Sequence, residues 1–217
     1  MASFPGSPKL LKGGIVLLDP VTFAMRRVIP MQYNPDSLTR TTQPQAVGPE
    51  GGDRSEALRL KGPPVVTIRV EAEMDATDAL EQGDPTAMQY GLTTLVAALE
   101  TIAYPSSQQL VANNALAASG ALEIIPVMGP LTVFVWGANQ VIPVRITELS
   151  VTEEAFDPNL NPIRVKLSLS LRVLSVNDLG FDNKGGNLYM VYQQQKERLA
   201  GLADSRNLTP LGIGGFS

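Results

Sequence analysis

The residues best equipped to act on a ligand are carboxylates, with Glu153, Glu154 and Asp157 close together near what reads as a strand end. Clustered oxygens suit a hard cation, but this spacing matches no EF-hand or comparable loop. The same residues read better as a solvated strand end or an interface than as a metal site. The chain has no His and no Cys. That removes the commonest general base and transition-metal ligand, and with them disulfides and thiolate zinc sites. A pair of carboxylates working as acid and base needs separated pKa values, and no acids stand in such a context here. The expectation is a protein that is not an enzyme, with no catalytic residue, no metal ligand and no cofactor.

Other motifs fall short in the same way. Gly13-Gly14, Gly51-Gly52, Gly185-Gly186 and Gly214-Gly215 lack both the G-x-x-x-x-G-K-[ST] pattern and the strand-to-helix setting of a phosphate cradle. Trp136 and the five tyrosines are not accompanied by Arg or Lys as a base-stacking platform requires, and Trp136 reads as strand-end packing. With a net charge of −4 and its Lys and Arg scattered singly, the chain is not expected to bind nucleic acid.

The elements that must position these residues are mostly strands. Turn residues bracket the apolar run Ile15 to Leu18, which reads as a buried strand. Met25 to Tyr33 reads as its return, Asn34-Pro35-Asp36 as a turn, and Ser37 to Thr42 as a third strand. Gln43 to Pro64, rich in Gly and carrying Pro44, Pro49, Pro63 and Pro64, reads as a long loop, either a contact arm that orders on assembly or an ordinary floppy surface loop. Val66 to Asp75 alternates apolar and polar residues, the pattern of a strand with one buried face. Asp84 as N-cap and Pro85 at the first turn start one amphipathic helix that runs to Pro105. Leu110 to Leu122 reads mostly as loop. Leu131 to Trp136 and the segment from Gln140 form a hairpin. In its second arm Ile142, Val144 and Ile146 share one parity and Leu149 and Val151 the other, which places a β-bulge near Glu148. Asp157 to Pro162 is a dense turn, Ile163 to Leu174 another one-sided strand, and Leu188 to Ala203 a helix.

At 217 residues, 44% hydrophobic and 18% charged, the chain has the profile of a folded globular protein. The expected division is a flexible N-terminus (1–11), a β domain (12–186), and a C-terminal helix and tail (187–217). The N-terminus lacks the apolar region of a secretory signal, and no apolar run reaches the ~20 residues that cross a bilayer. A soluble protein without direct membrane insertion follows as the expectation.

The stretch Ile29-Pro30-Met31-Gln32-Tyr33-Asn34-Pro35-Asp36-Ser37-Leu38-Thr39-Arg40 fits the pattern hydrophobic-Pro-x-Gln-[Phe/Tyr]-Asn-Pro-x-[Ser/Thr]-Leu-x-Arg. It resembles the start of tube and baseplate proteins of contractile injection systems, the phage-tail-like machines. Glu71 to Asp75, the segment Leu92 to Ile102 ending in Tyr104-Pro105, Pro130 to Gly137, Ile146-Thr147 and Glu153 to Ile163 extend the likeness from Lys12 to Leu202. The resemblance implies a mainly β (α+β) fold: an antiparallel β-barrel or sandwich similar to phage tail-tube subunits, with one flanking helix and a C-terminal helix. It implies a structural subunit of a homo-oligomeric, hexameric ring, either inner tube or tube initiator. Such a ring touches neighbouring tube and baseplate proteins and the spike hub. Assembly would be cytoplasmic, within a particle that is released or attached to a membrane such as the thylakoid. Many such proteins continue into a LysM-like domain, and this sequence is expected not to.

Two groups of candidate interface residues follow: Tyr33, Asn34, Pro35 and Arg40 in the first motif, and Glu153, Glu154, Phe156, Asp157, Asn159 and Asn161 around the later turn. For Tyr33 to Pro35 the competing reading is an ordinary strand-ending turn. A large aromatic among acids, as at Phe156, is more useful against a partner than against water. The rival functions are a carbohydrate- or peptidoglycan-binding β-sandwich, with Trp136 as its aromatic platform, and an all-carboxylate glycosidase-like enzyme.

Overall fold

The structure is a computed structural model that describes residues 11–46, 59–120, 128–203 and 212. Gly51-Gly52, Gly214-Gly215, residues 1–10, the middle of the expected 43–64 loop and most of the expected tail lie outside the described residues.

Seven strands form one antiparallel sheet: β1 (Gly14–Leu18), β2 (Met25–Pro30), β3 (Leu38–Ala46), β4 (Leu60–Asp75), β5 (Leu131–Val135), β6 (Val141–Phe156) and β7 (Pro162–Val173). Their order across the sheet is β2-β1-β5-β6-β7-β4-β3. The fold is mainly β with helices, the expected class. The closed barrel or two-sheet sandwich is not formed, because β2 and β3 end the sheet without pairing to each other.

The sheet nevertheless rolls. β1 and β4 are four strand steps apart, about 19 Å on a flat sheet, yet Ile15 of β1 and Ala72 and Met74 of β4 line the same void of about 10 Å³. Strand twist with strong curvature brings them together. The inner face carries the apolar parity of each strand: Val66, Ile68, Val70, Ala72 and Met74 in β4, and Val165, Leu167, Leu169, Leu171 and Val173 in β7, all buried. The parity switch in β6 is a bulge, with the β6–β7 register shifting between Ile146 and Glu148.

Six helices complete the described chain: α1 (Thr77–Glu81), α2 (Pro85–Tyr90), α3 (Thr93–Ala103), α4 (Ser107–Ala118), α5 (Val176–Leu179) and α6 (Lys184–Leu202). None is long and apolar enough to cross a membrane. α3 sets Val96 and Leu99 into the core, and α6 adds Tyr189 and Tyr192.

Several expectations are corrected. The single helix up to Pro105 is two, α2 and α3, because Gly91 turns the chain at φ 53°. A β carbon there would stand 2.5 Å from the Pro162 carbonyl oxygen, which accepts from the Leu92 N–H at 2.9 Å. The stretch read mostly as loop from Leu110 belongs to α4, started by a capping box in which Ser106 and Gln109 satisfy each other's backbone N–H. The 43–64 loop is strand at both ends, since β3 continues to Ala46 and β4 begins at Leu60. α6 starts at Lys184 rather than Leu188, capped by the Asn183 side chain. Its Gly185-Gly186 pair fits close packing: a β carbon on Gly186 would lie 1.9 Å from the Gly180 carbonyl oxygen.

Candidate functional site

Opposite the core, β4, β6 and β7 present a polar face whose charges are paired by strand register. Glu73 lies opposite Lys166 and Asp75 opposite Arg164 across the β4–β7 pair, while Glu154 lies opposite Arg164 across β6–β7. Arg164 Nη2 stands 3.0 Å from Asp75 Oδ2, and its Nε 3.5 Å from Glu73 Oε1. Lys166 Nζ stands 2.8 Å from Glu154 Oε1. The Thr77 hydroxyl and backbone N–H, followed by Arg164, hold the Asp75 carboxyl below its ordinary range. Glu154 in turn holds the Lys166 ammonium above its own. Opposite charges across a ladder stabilise a pairing by a few tenths of a kcal/mol to about 1 kcal/mol, so this face selects register more than it adds stability.

The carboxylates singled out in the sequence are dispersed by the strand. Glu153 and Glu154 are successive residues of β6 and point to opposite faces. Asp157 is occupied by its own turn: its Oδ1 accepts from the backbone N–H of Asn159 (2.7 Å) and Asn161 (2.8 Å), and its Oδ2 from Asn161 Nδ2 (2.8 Å). The Asn161 side chain, then the Asn161 and Asn159 backbone, depress the Asp157 pKa. Asn161 Nδ2 also donates to the Gln89 carbonyl of α2 (3.2 Å). Among the described residues no group of three such ligands is placed to hold a metal. Asp157, Asn159 and Asn161 are thus the scaffold of the β6–β7 tip. What the tip displays is Phe156, 50% exposed, and Leu160, 79% exposed.

The first motif divides in the same manner. Asn34 is a clamp: its Oδ1 accepts from the Gly13 N–H (2.9 Å) and its Nδ2 donates to the Leu11 carbonyl (2.7 Å). The neighbouring Gln32 Oε1 accepts from the Asp75 N–H (2.6 Å), tying this loop to the end of β4. Tyr33 remains 43% exposed. Together with Pro35 and the polar face around Glu73, Thr152 and Lys166, it lines an open groove of about 480 Å³. The structure therefore brings Tyr33 to Pro35 beside Lys166, the partner of Glu154. Arg40 stands elsewhere: it shares the inner parity of β3 and donates to Gln140 Oε1 in the β5–β6 turn (2.7 Å).

Trp136 stacks on the buried Phe134 ring, centroids 5.9 Å apart and planes 15° from parallel. That is a packing residue rather than a flat platform offered to a sugar.

Sequence reasoning missed Arg164, Lys166, Tyr192 and Lys196. The first two had a signal, since the outward parity of β4 is acidic and that of β7 basic, a complementarity that becomes pairing once the strands are adjacent. The other two had none, because helix propensity does not say which neighbours α6 meets.

A scan of the sequence against protein-family models matches no family, and a search of curated proteins finds no matching relative.

Proposed function

We propose that this chain is a non-enzymatic structural subunit of a phage-tail-like contractile injection system, assembling into a hexameric inner-tube or tube-initiating ring between spike hub and tube. The observation that carries the reading is β3. Residues 39–46 are exposed and Leu38 is half-buried, and among the described residues the strand is hydrogen-bonded on one side only, to β4. Beyond Thr67 that β3–β4 pair has no third strand among the described residues, because β7 reaches only as far as Thr67. A two-stranded ribbon with a free edge is marginal alone and invites pairing. A neighbour in a closed ring, whose contacts are head-to-tail, would satisfy it. The Phe156 and Leu160 tip supplies a second, apolar contact at the far end of β6.

Negative-stain imaging and sedimentation of the purified full chain, alone and with hub and tube proteins, test the proposal. Rings or incorporation are expected, and Phe156→Asp should abolish them while the far-ultraviolet circular dichroism of the subunit is unchanged. A chain that stays monomeric and never enters the particle overturns the reading.

A second reading, carbohydrate binding, has one observation in its favour: the groove beneath Tyr33 combines an exposed aromatic with Ser150, Thr152, Ser168 and Glu73. A glycan array decides it, and binding lost in Tyr33→Ala would replace the structural proposal.

A further inference from the structure

Arg40 of β3 and the helix α6 meet at the β5–β6 turn, where Arg40 donates to Gln140 Oε1 (2.7 Å) and Gln195 donates to the neighbouring Asn139 Oδ1 (2.7 Å). This places Arg40 near Tyr192 and Lys196, with no carboxylate bonded to any of the three among the described residues. The Tyr192 side chain is 4% exposed, and its hydroxyl is buried with no hydrogen-bond partner among the described residues. A buried hydroxyl in that condition is a standing penalty that native proteins rarely leave unrelieved. One helical turn on, the half-buried Lys196 lays its Nζ over the Tyr192 ring, 4.6 Å from the centroid, and makes no ion pair or hydrogen bond among the described residues. Burial, and then the like charge of Arg40, push the Lys196 ammonium below its ordinary pKa. Glu197 opposes this more weakly, its Oε1 accepting from Gln193 Nε2 at 3.1 Å. Arg40, the remaining donor, has an amide oxygen as its partner, Gln140 Oε1, and no carboxylate among the described residues.

The like charges of Arg40 and Lys196 oppose each other and the Tyr192 hydroxyl stays unsatisfied, and an anionic acceptor relieves both. We infer that Arg40, Tyr192 and Lys196 form a seat for a carboxylate. The forked guanidinium and the ammonium take its two oxygens as charge-assisted donors. The Tyr192 hydroxyl, unsatisfied among the described residues, is the third donor of the seat. In an assembled ring the carboxylate is an acidic side chain of a neighbouring subunit, a source that rests on the structural reading above; a free small carboxylate is the other source, and does not.

The test titrates the full chain with glutarate at constant ionic strength, following the Arg40 Nε–H and Tyr192 ring signals by NMR. Sedimentation of wild type, Lys196→Met, Arg40→Gln and Tyr192→Phe runs in parallel. Saturable shifts at both signals, weakened at least about tenfold in Lys196→Met through loss of a charge-assisted hydrogen bond, support the seat. If the variants also lose wild-type oligomers while keeping their circular dichroism, the carboxylate comes from a neighbour. If oligomers persist, it is a free ligand. No shift with glutarate and no change in sedimentation overturns the inference. A wild-type chain that never oligomerises but binds glutarate at this place sinks the ring proposal and leaves the seat standing.

Discussion

Leu99 of α3 sits where the two ends of the rolled sheet meet. It is 1% exposed and shares its small void with Ile15, Ile29 and Met31 from one end of the sheet and Ala72, Met74, Leu167 and Leu169 from the other. Leu99→Ala removes the side chain that both ends grip. The transfer and cavity contributions together amount to about 3 to 4 kcal/mol for a buried Leu whose surroundings cannot collapse. Collapse is restricted here because β1, β4 and β7 are each paired to neighbours on both sides. With a urea slope of about 2 kcal/mol per molar, the unfolding midpoint should fall by about 1.5 to 2 M. Leu116→Ala on α4, a helix with no buried residue, is the control and should move stability by no more than about 0.5 kcal/mol. A loss below about 1 kcal/mol for Leu99→Ala would refute the reasoning, because the two ends of the sheet would then be held together without α3.

Tyr192→Phe deletes an unsatisfied buried hydroxyl, so the isolated chain should gain about 1 kcal/mol in urea unfolding; a loss would mean that the hydroxyl has a partner. Asp75 and Asp157 carry depressed folded-state pKa values. Their stabilisation is therefore complete above the unfolded carboxylate value, about pH 4, and is lost as the pH falls below it. Urea midpoints measured from neutral to acid pH should decline in that window, and less steeply in Asp157→Asn. Gly186→Ala forces a β carbon onto the Gly180 carbonyl and should separate the start of α6 from α5, detected as earlier thermal unfolding; an unchanged melting curve would show that this junction has slack.

What was legible in the sequence was whatever depends on neighbours a few residues away. The two-residue period set the faces of β4 and β7. Two runs of opposite parity located the bulge between Ile146 and Glu148, and Pro and Asx residues marked the tip at Asp157 to Pro162. Local rules misread α4, where Ala, Gln and Asn gave no apolar stripe and the capping box at Ser106 decided the matter. They also misread the long helix, which is cut at Gly91 by the close approach of Pro162, 71 residues further along the chain.

The candidate site divides along the same line. Residue types alone excluded chemistry that needs His or Cys, and placed Phe156 among acids at a strand end. Only the tertiary structure showed that Glu153 and Glu154 face apart, that Asn34 clamps the chain at Leu11 and Gly13, and that Asp157 and Asn161 are occupied by their own turn. Only it gathered Arg40, Tyr192 and Lys196 from segments more than a hundred residues apart. The reason is physical: periodicity records which side of a strand or helix is dry, whereas the partner of a polar group depends on how the sheet rolls, and that follows from packing between elements distant in sequence.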